Sequence, residues 1–246
     1  MIITFISDTH TKHGQLITAD DIRNNQQLID LPGGDLLIHA GDFMSSGYSK
    51  HEAEDFLYWF NTIKGYDKKI FIAGNHDRIM QNDPAWATDI LKEYTTIDYL
   101  QDEEYGLYDI TEDRSINIYG SPWQPEFYQW AFNLPRNGEE LKSKWGAIPE
   151  NTDILITHGP AFGFLDDVEG RRGIHLGCEL LIDRIKEVKP KIHVCGHIHS
   201  GYGHYFDGHT HFFNASILNE RYNYTNLPVT IDWDPITNEI KWLSHN

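Results

Sequence analysis

Five times along this chain an apolar run ends in side chains that bind cations. The runs Ile2–Ile6, Leu36–Ile38, Ile70–Ile72, Ile154–Ile156 and Ile192–Val194 precede Asp8-Thr9-His10, Gly41-Asp42, Gly74-Asn75-His76-Asp77, His158 and Gly196-His197-Ile198-His199. Side chains at the carboxyl ends of neighbouring parallel strands converge on one crevice. A chain with this repetition is therefore constrained to a sheet whose strand ends face one site. The donors Asp8, His10, Asp42, Asn75, His158, His197 and His199 suffice for two cations and are too many for one tetrahedral zinc.

The donors come from both halves of the 246 residues, so residues 1–246 read as a single domain. A composition that is 40% hydrophobic and 13% aromatic can bury a substantial core. The formal charge of −17 argues against extended nucleic acid as a partner, because such binding relies on many Lys and Arg contacts to phosphate. It leaves a small phosphorylated substrate open, since bound cations reverse the local field. Cys178 and Cys195 form no disulfide framework and suit a reducing compartment. Met1-Ile2-Ile3-Thr4 enters a strand pattern at once, with no basic segment and long apolar stretch to suggest a signal peptide. No run approaches the roughly 18 apolar residues of a membrane span. A soluble cytoplasmic protein with no membrane partner is expected.

The first half alternates strand and helix. Ser49-Lys50-His51-Glu52 reads as a capping box, followed by Ala53, Phe56, Leu57, Phe60 and Ile63 at helical spacing. A second amphipathic helix is expected over Gly177–Val188, with Leu180, Leu181, Ile185 and Val188 buried and Pro190 blocking its continuation. Hairpins are expected for Leu107–Ile110 with Ser115–Tyr119, turning at Glu112-Asp113; for Tyr202–Phe206 with Thr210–Asn214; and for Val229–Trp233 with Glu239–Leu243. Ser121–Trp145 reads as a loop with short helices. Parallel units plus hairpins suggest two mixed sheets packed face to face with helices outside, an α/β fold.

The donor chemistry is specific about metals and less so about substrate. Mixed nitrogen and oxygen donors suit Mn, Fe, Zn, Co or Ni better than Ca or Mg. Asp42 follows a glycine that permits a sharp turn, and its two oxygens can bridge cations about 4 Å apart. Two divalent cations, the carboxylates Asp8 and Asp42 and one bridging hydroxide sum to about +1, which attracts a phosphate ester. That hydroxide is the expected attacker of phosphorus. His76, next to a donor, is expected on the substrate side, to stabilise the transition state or protonate the leaving oxygen, with Asp77 orienting it. Among the other histidines, His39 and His193 read as core, His51, His209, His211 and His245 as surface, and His13 as a possible substrate contact beside His175 and His204. Trp123 and Phe162, with Phe164, are candidates for an apolar wall against a nucleobase. Arg171 and Arg172 are candidates for phosphate contact.

In this order, Asp-x-His, Gly-Asp, Gly-Asn-His-Asp, His and Gly-His-x-His resemble the calcineurin-like metallophosphoesterase superfamily over Asp8 to His199. Gly120–Pro125, Trp130–Arg136, Thr152–Pro160 and Asn214-Ala215-Ser216 are similar to the narrower metallophosphoesterase-domain-containing group, which includes phosphodiesterases acting on cyclic nucleotides. The resemblance implies a four-layer αββα sandwich. It also implies that Asp8, His10 and His199 hold one metal, that Asn75, His158 and His197 hold a second, that Asp42 bridges them and that His76 acts on the phosphoryl group. Some relatives in the narrower group have Gly where this chain has His197, which weakens metal binding. A phosphodiesterase of small substrates is the leading expectation, with 2′,3′- or 3′,5′-cyclic nucleotides first. A phosphomonoesterase is the alternative. A non-catalytic scaffold of the same fold would be expected to lose donors, and this chain retains them all.

Overall fold

The computed structural model describes residues 1–18, 29–109, 114–168 and 173–243. Its twelve principal strands are β1 (Ile2–Ile6), β2 (Gly34–His39), β3 (Tyr66–Phe71), β4 (Asp98–Tyr99), β5 (Glu103–Asp109), β6 (Arg114–Ser121), β7 (Ile154–Thr157), β8 (Ile192–Cys195), β9 (Gly203–Phe206), β10 (His211–Asn214), β11 (Val229–Trp233) and β12 (Ile240–Trp242). They form two six-stranded sheets, ordered β12-β11-β1-β2-β3-β4 and β9-β10-β8-β7-β6-β5. Each is mixed: β1, β2, β3 and β4 run parallel, β11 runs antiparallel to β1, and β12 reverses again beside β11. In the second sheet β6, β7, β8 and β10 run parallel, with β5 and β9 antiparallel at the edges.

Alternation along the strands builds the layers. Ile3, Phe5, Leu36, Ile38 and Ile70 of the first sheet meet Ile118, Ile154, Ile156, Val194 and Phe213 of the second in a core between the sheets. Leu37 and Phe71 point the other way and pack with Phe56, Leu57 and Phe60 of helix α1 (Lys50–Thr62). Tyr119, Leu155 and Phe212 do the same on the far side, against Leu141 and Trp145 of one helix (Glu139–Gly146) and Leu181 and Ile185 of another (Glu179–Val188). The result is the helix–sheet–sheet–helix sandwich that the alternation of strand and helix signals implied. Among the described residues no helix is long and apolar enough to cross a membrane. Both cysteines are free and buried.

Several local expectations shift. Ser49 caps α1 by accepting from Glu52 N, but the Glu52 carboxylate accepts from Ser45 N instead of reaching back to Ser49. The helix expected from Gly177 begins at Glu179, because Cys178 pairs with Ala161 and Gly177 N donates to Asp166. Ile182 joins its buried face, with Leu180 and Val188 only partly covered. Ser121–Trp145 holds a parallel pair of two-residue strands, Gln124–Pro125 with Asn133–Leu134, and then the Glu139–Gly146 helix. His211 is buried beneath Phe206 rather than exposed, because β9 folds over it. The Glu112-Asp113 turn, Arg171, Arg172 and His245 lie outside the described residues.

What places the site is the seam between the sheets. Beyond β1, Ser7 N donates to Ala215 O at 2.9 Å, so the end of the first sheet is stitched to the end of β10 in the second. Asp8 N donates to Gly41 O and Gly196 N to His158 O, each at 2.9 Å. The carboxyl ends of β1, β2, β3, β7 and β8 thus open onto one edge of the sandwich.

Candidate metal centre

The loops after those five strands bring the seven donors together. His199 Nε2 lies 3.4 Å from Asp8 Oδ1, and His10 Nε2 lies 4.0 Å from the same oxygen. On the other side, His158 Nε2 lies 3.1 Å from Asn75 Oδ1, and donor atoms of Asp42, His158 and His197 lie within 4.8 Å of one another. Asp42 Oδ2 stands between the groups, 3.7 Å from His10 Nε2 and 3.3 Å from His158 Nε2.

Backbone carbonyls fix the imidazoles. His10 Nδ1 bonds to Met44 O at 3.0 Å, His158 Nδ1 to Ala40 O at 2.9 Å and His199 Nδ1 to Asn219 O at 3.0 Å. A carbonyl only accepts, so Nδ1 donates in each ring and Nε2 is the nitrogen that faces the cluster. In His10 it carries the lone pair a metal ligand requires, and in His158 and His199 it holds a second proton that a cation would displace. His10 Nε2 is buried and has no hydrogen-bond partner among the described residues. Such an orphaned acceptor is costly unless a cation satisfies it.

Electrostatics agree. Burial pushes His158 down, but Asp42 outweighs it and raises the ring to about 9; His199 is raised to about 9 against burial by its bond to Asp8. Asp8 and Asp42 are held below the usual carboxylate range by these imidazoles, despite burial. Burial holds His10 near 4 and His197 near 3. The cluster thus retains protons where cations would compete for the same donors. The residues present fit divalent transition ions in chemistry and in donor exposure.

The backbone bears strain at these positions. Asp8 (φ 54°), His10 (φ 41°), Asp42 (φ 58°) and His197 (φ 67°) all occupy the left-handed region that non-glycine residues avoid. Such residues cost about 1–3 kcal/mol each and concentrate at functional sites. Glycine is required at Gly196 for a different reason: a Cβ there would collide with the Asp8 carboxylate and the Ser7 hydroxyl. The same carboxylate accepts from Ser216 Oγ at 2.7 Å and from His197 N at 3.1 Å.

A family model described as calcineurin-like phosphoesterase matches residues 1–201, which include every one of these donors. The chain belongs to the calcineurin-like phosphoesterase family. It is 39% identical over 241 residues to the human protein named metallophosphoesterase domain-containing protein 1, covering 89% of this chain and 70% of that one, and the Mus musculus protein of that name matches equally. In fold it is similar to the protein TT1561 of Thermus thermophilus, with a TM-score of 0.59 at 11% identity over 98% of this chain and 96% of that one. It is also similar to a phosphopantetheinyl hydrolase of Mycobacterium tuberculosis, with a TM-score of 0.55 at 14% identity over 89% and 90% of the two chains.

In this phosphoesterase, His76 and Asp77 part company. The His76 ring lines a cavity of about 670 Å³ together with Asp42, Asn75, His197 and His199. Its Nδ1 bonds to Ser45 O, so a carbonyl orients it and not Asp77. The fully buried Asp77 accepts from Asp42 N (2.9 Å), Gly74 N (2.6 Å) and Met44 N (2.8 Å). Burial and the Asp42 charge push its pKa up, while the Gly74 and Met44 amides pull it down. It acts as a staple between two donor loops.

Of the expected substrate contacts His175 lines the cavity, whereas His13, His204, Trp123, Phe162 and Phe164 are absent from its lining. His13 is buried, bonded to Asp55 at 3.0 Å and packed on Trp59, because the turn after His10 carries it under α1. Trp123 donates Nε1 to Asp102 and packs on Phe132. Phe162 stands at the surface beside His175, and Phe164 stacks on Phe212 in the core. The rings that do line the cavity are Phe127, Tyr128 and Tyr222. Tyr222 covers His10 and His199 with centroids 4.8 and 5.6 Å away, and Phe127 meets His197 at 5.7 Å. His175 also lines the cavity, its Nδ1 2.7 Å from the buried Asp166, which raises its pKa. Phe127, Tyr128 and Tyr222 stand at none of the five strand ends that carry the motifs, which is why the sequence pattern passes over them; the aromatic density of 121–145 was the available signal for Phe127 and Tyr128.

Proposed function

We propose that this chain is a two-metal phosphodiesterase for small substrates, with cyclic nucleotides, 2′,3′ or 3′,5′, as the first class. In this reading Asp8, His10 and His199 hold one divalent transition ion, Asn75, His158 and His197 hold the other, Asp42 is shared, and His76 meets the substrate. Divalent cations in such a site supply Lewis acidity, lowering the pKa of water and neutralising charge on phosphoryl oxygens. The chain's own groups do the rest. Asp8 and Asp42 bring only two negative charges, so a loaded site stays attractive to a phosphate ester, and His76 offers Nε2 for a phosphoryl or leaving oxygen.

The observation that carries the reading is Asp42 Oδ2, within 3.7 Å of His10 Nε2 and 3.3 Å of His158 Nε2. One carboxylate oxygen shared between two donor groups is what a bridging ligand needs. The cavity of about 670 Å³ is of the size that takes a nucleotide-sized ligand, and its exposed rings offer stacking for a base. The −17 charge disfavours polynucleotides. The test is hydrolysis of bis-p-nitrophenyl phosphate beside p-nitrophenyl phosphate by chelated and Mn²⁺-reloaded protein, followed by cyclic nucleotides. Metal-dependent diester cleavage is expected; a strong preference for the monoester would make the enzyme a phosphomonoesterase.

A further inference from the structure

The run Trp130–Arg136 contributes no donor, yet its first residue lies against the substrate-side histidine. The Trp130 ring stacks on the His76 imidazole, with centroids 3.9 Å apart and planes 25° from parallel. The Arg78 guanidinium also sits on Trp130, 4.3 Å from the ring centroid, and lies 4.9 Å from the Tyr48 ring. The main chain beside Trp130 is tied to the donor loop. Ala131 N donates to Asn75 O at 3.0 Å, Phe132 N donates to Gln81 Oε1 at 2.8 Å, and the Phe132 ring is fully buried. Trp130 is therefore delivered to His76 by anchors on both the donor loop and the core.

The hydrogen bond from His76 Nδ1 to Ser45 O fixes one end of the imidazole but leaves the ring free to turn about that line. A flat aromatic against its face removes that freedom, and stacked rings hold an offset-parallel arrangement. His10 meets the ring from another side, at 4.6 Å and 82°. Only with its plane fixed does Nε2 keep a constant aim into the cavity.

We infer that Trp130, backed by Arg78, is a positioning residue that holds the His76 ring plane for the reaction and acts on turnover rather than on substrate or metal binding. This rests on the role proposed above for His76, and the experiment separates the two. In Mn²⁺-reconstituted protein, kcat and KM for bis-p-nitrophenyl phosphate are measured for Trp130→Ala, Trp130→Phe, His76→Ala and the His76→Ala/Trp130→Ala double variant, with metal content as a control. Misplacing a reacting group by about 1 Å costs up to about 100-fold. Trp130→Ala is expected to lower kcat about 10- to 100-fold with KM changed less than about 3-fold and both metals retained. Trp130→Phe restores most of kcat, and the double variant is no slower than His76→Ala, because the two act as one unit.

A Trp130→Ala enzyme with wild-type kcat beside a slow His76→Ala overturns the inference alone. So do additive losses in the double variant, or loss of metal in Trp130→Ala. If His76→Ala turns over normally, the reading of His76 falls and this inference with it. A readout independent of activity is the His76 Hε1 resonance, assigned by its absence from His76→Ala. The Trp130 ring current should displace it upfield in the wild type, and the displacement should vanish in Trp130→Leu. No such displacement would mean that the stack is absent in solution.

Discussion

Replacing Asp77 with alanine separates a structural staple from a catalytic orienter. The carboxylate is fully buried and accepts three backbone N–H groups, from Asp42, Gly74 and Met44. Each buried donor left unmet costs about 1–3 kcal/mol. Three would cost about 3–9 kcal/mol, and removing a carboxylate whose own burial is unfavourable returns part of that. A net loss of about 3–5 kcal/mol is expected, a large share of the roughly 5–15 kcal/mol typical of a domain. The staple also fixes the donors: Asp42 carries the shared oxygen, Met44 O holds His10 Nδ1, and Gly74 precedes Asn75. Metal affinity should therefore fall by at least about 10-fold. Urea unfolding of metal-free protein gives the first quantity and calorimetric Mn²⁺ titration the second. Stability within about 0.5 kcal/mol of wild type, with unchanged metal binding and only slower turnover, would refute the staple and return Asp77 to orienting His76.

Three further outcomes are expected. Asp42→Ala should lose both ions after dialysis, read by elemental analysis, whereas His76→Ala should keep them and lose turnover; one tightly retained ion in Asp42→Ala would remove the bridge. His197→Gly should relieve a left-handed φ of 67° and leave metal-free stability within about 1 kcal/mol of wild type. It should also weaken one of the two cation sites, and two undiminished sites in a titration would take His197 out of the donor set. His193 is fully buried against Phe212, bonds to Thr157 Oγ1 at 2.8 Å, and is pushed by burial to about 3. Because the unfolded ring takes up a proton near 6.5 and the folded one does not, its contribution is intact above that pH and is lost as pH falls towards 3. The loss is about 2 kcal/mol at pH 5. His193→Gln should therefore lose about that much less than wild type between pH 7.5 and 5 in guanidinium unfolding, and an identical loss in both proteins would show that His193 takes up its proton alike in the folded and unfolded states.

The strands, α1 and the order of the donors were legible because each rests on local pattern. Apolar runs of strand length, a Ser49 cap with Phe56, Leu57 and Phe60 at helical spacing, and short polar motifs after the runs all lie within a few residues of one another. The errors share a cause too. Adjacency in sequence pairs Asp77 with His76, yet the partners of Asp77 include the backbone of Asp42 and Met44, brought near by an adjacent strand. His13 follows His10 closely, but one turn carries it beneath α1. Trp123 and Phe162 are absent from the cavity lining, while Phe127, Tyr128 and Tyr222 hold its wall.

Taken alone, the sequence determined which groups are available for cations and that parallel strands would carry them, since residue type and two-residue alternation are local properties of the chain. Tertiary structure decided the aim of each group. Left-handed backbone at Asp8, His10, Asp42 and His197, carbonyls from Met44, Ala40 and Asn219 on the imidazoles, and Trp130 against His76 all depend on segments far apart in sequence. Those contacts exist only once neighbouring strands have paired and the two sheets have closed on each other, and no pattern within a few residues encodes them.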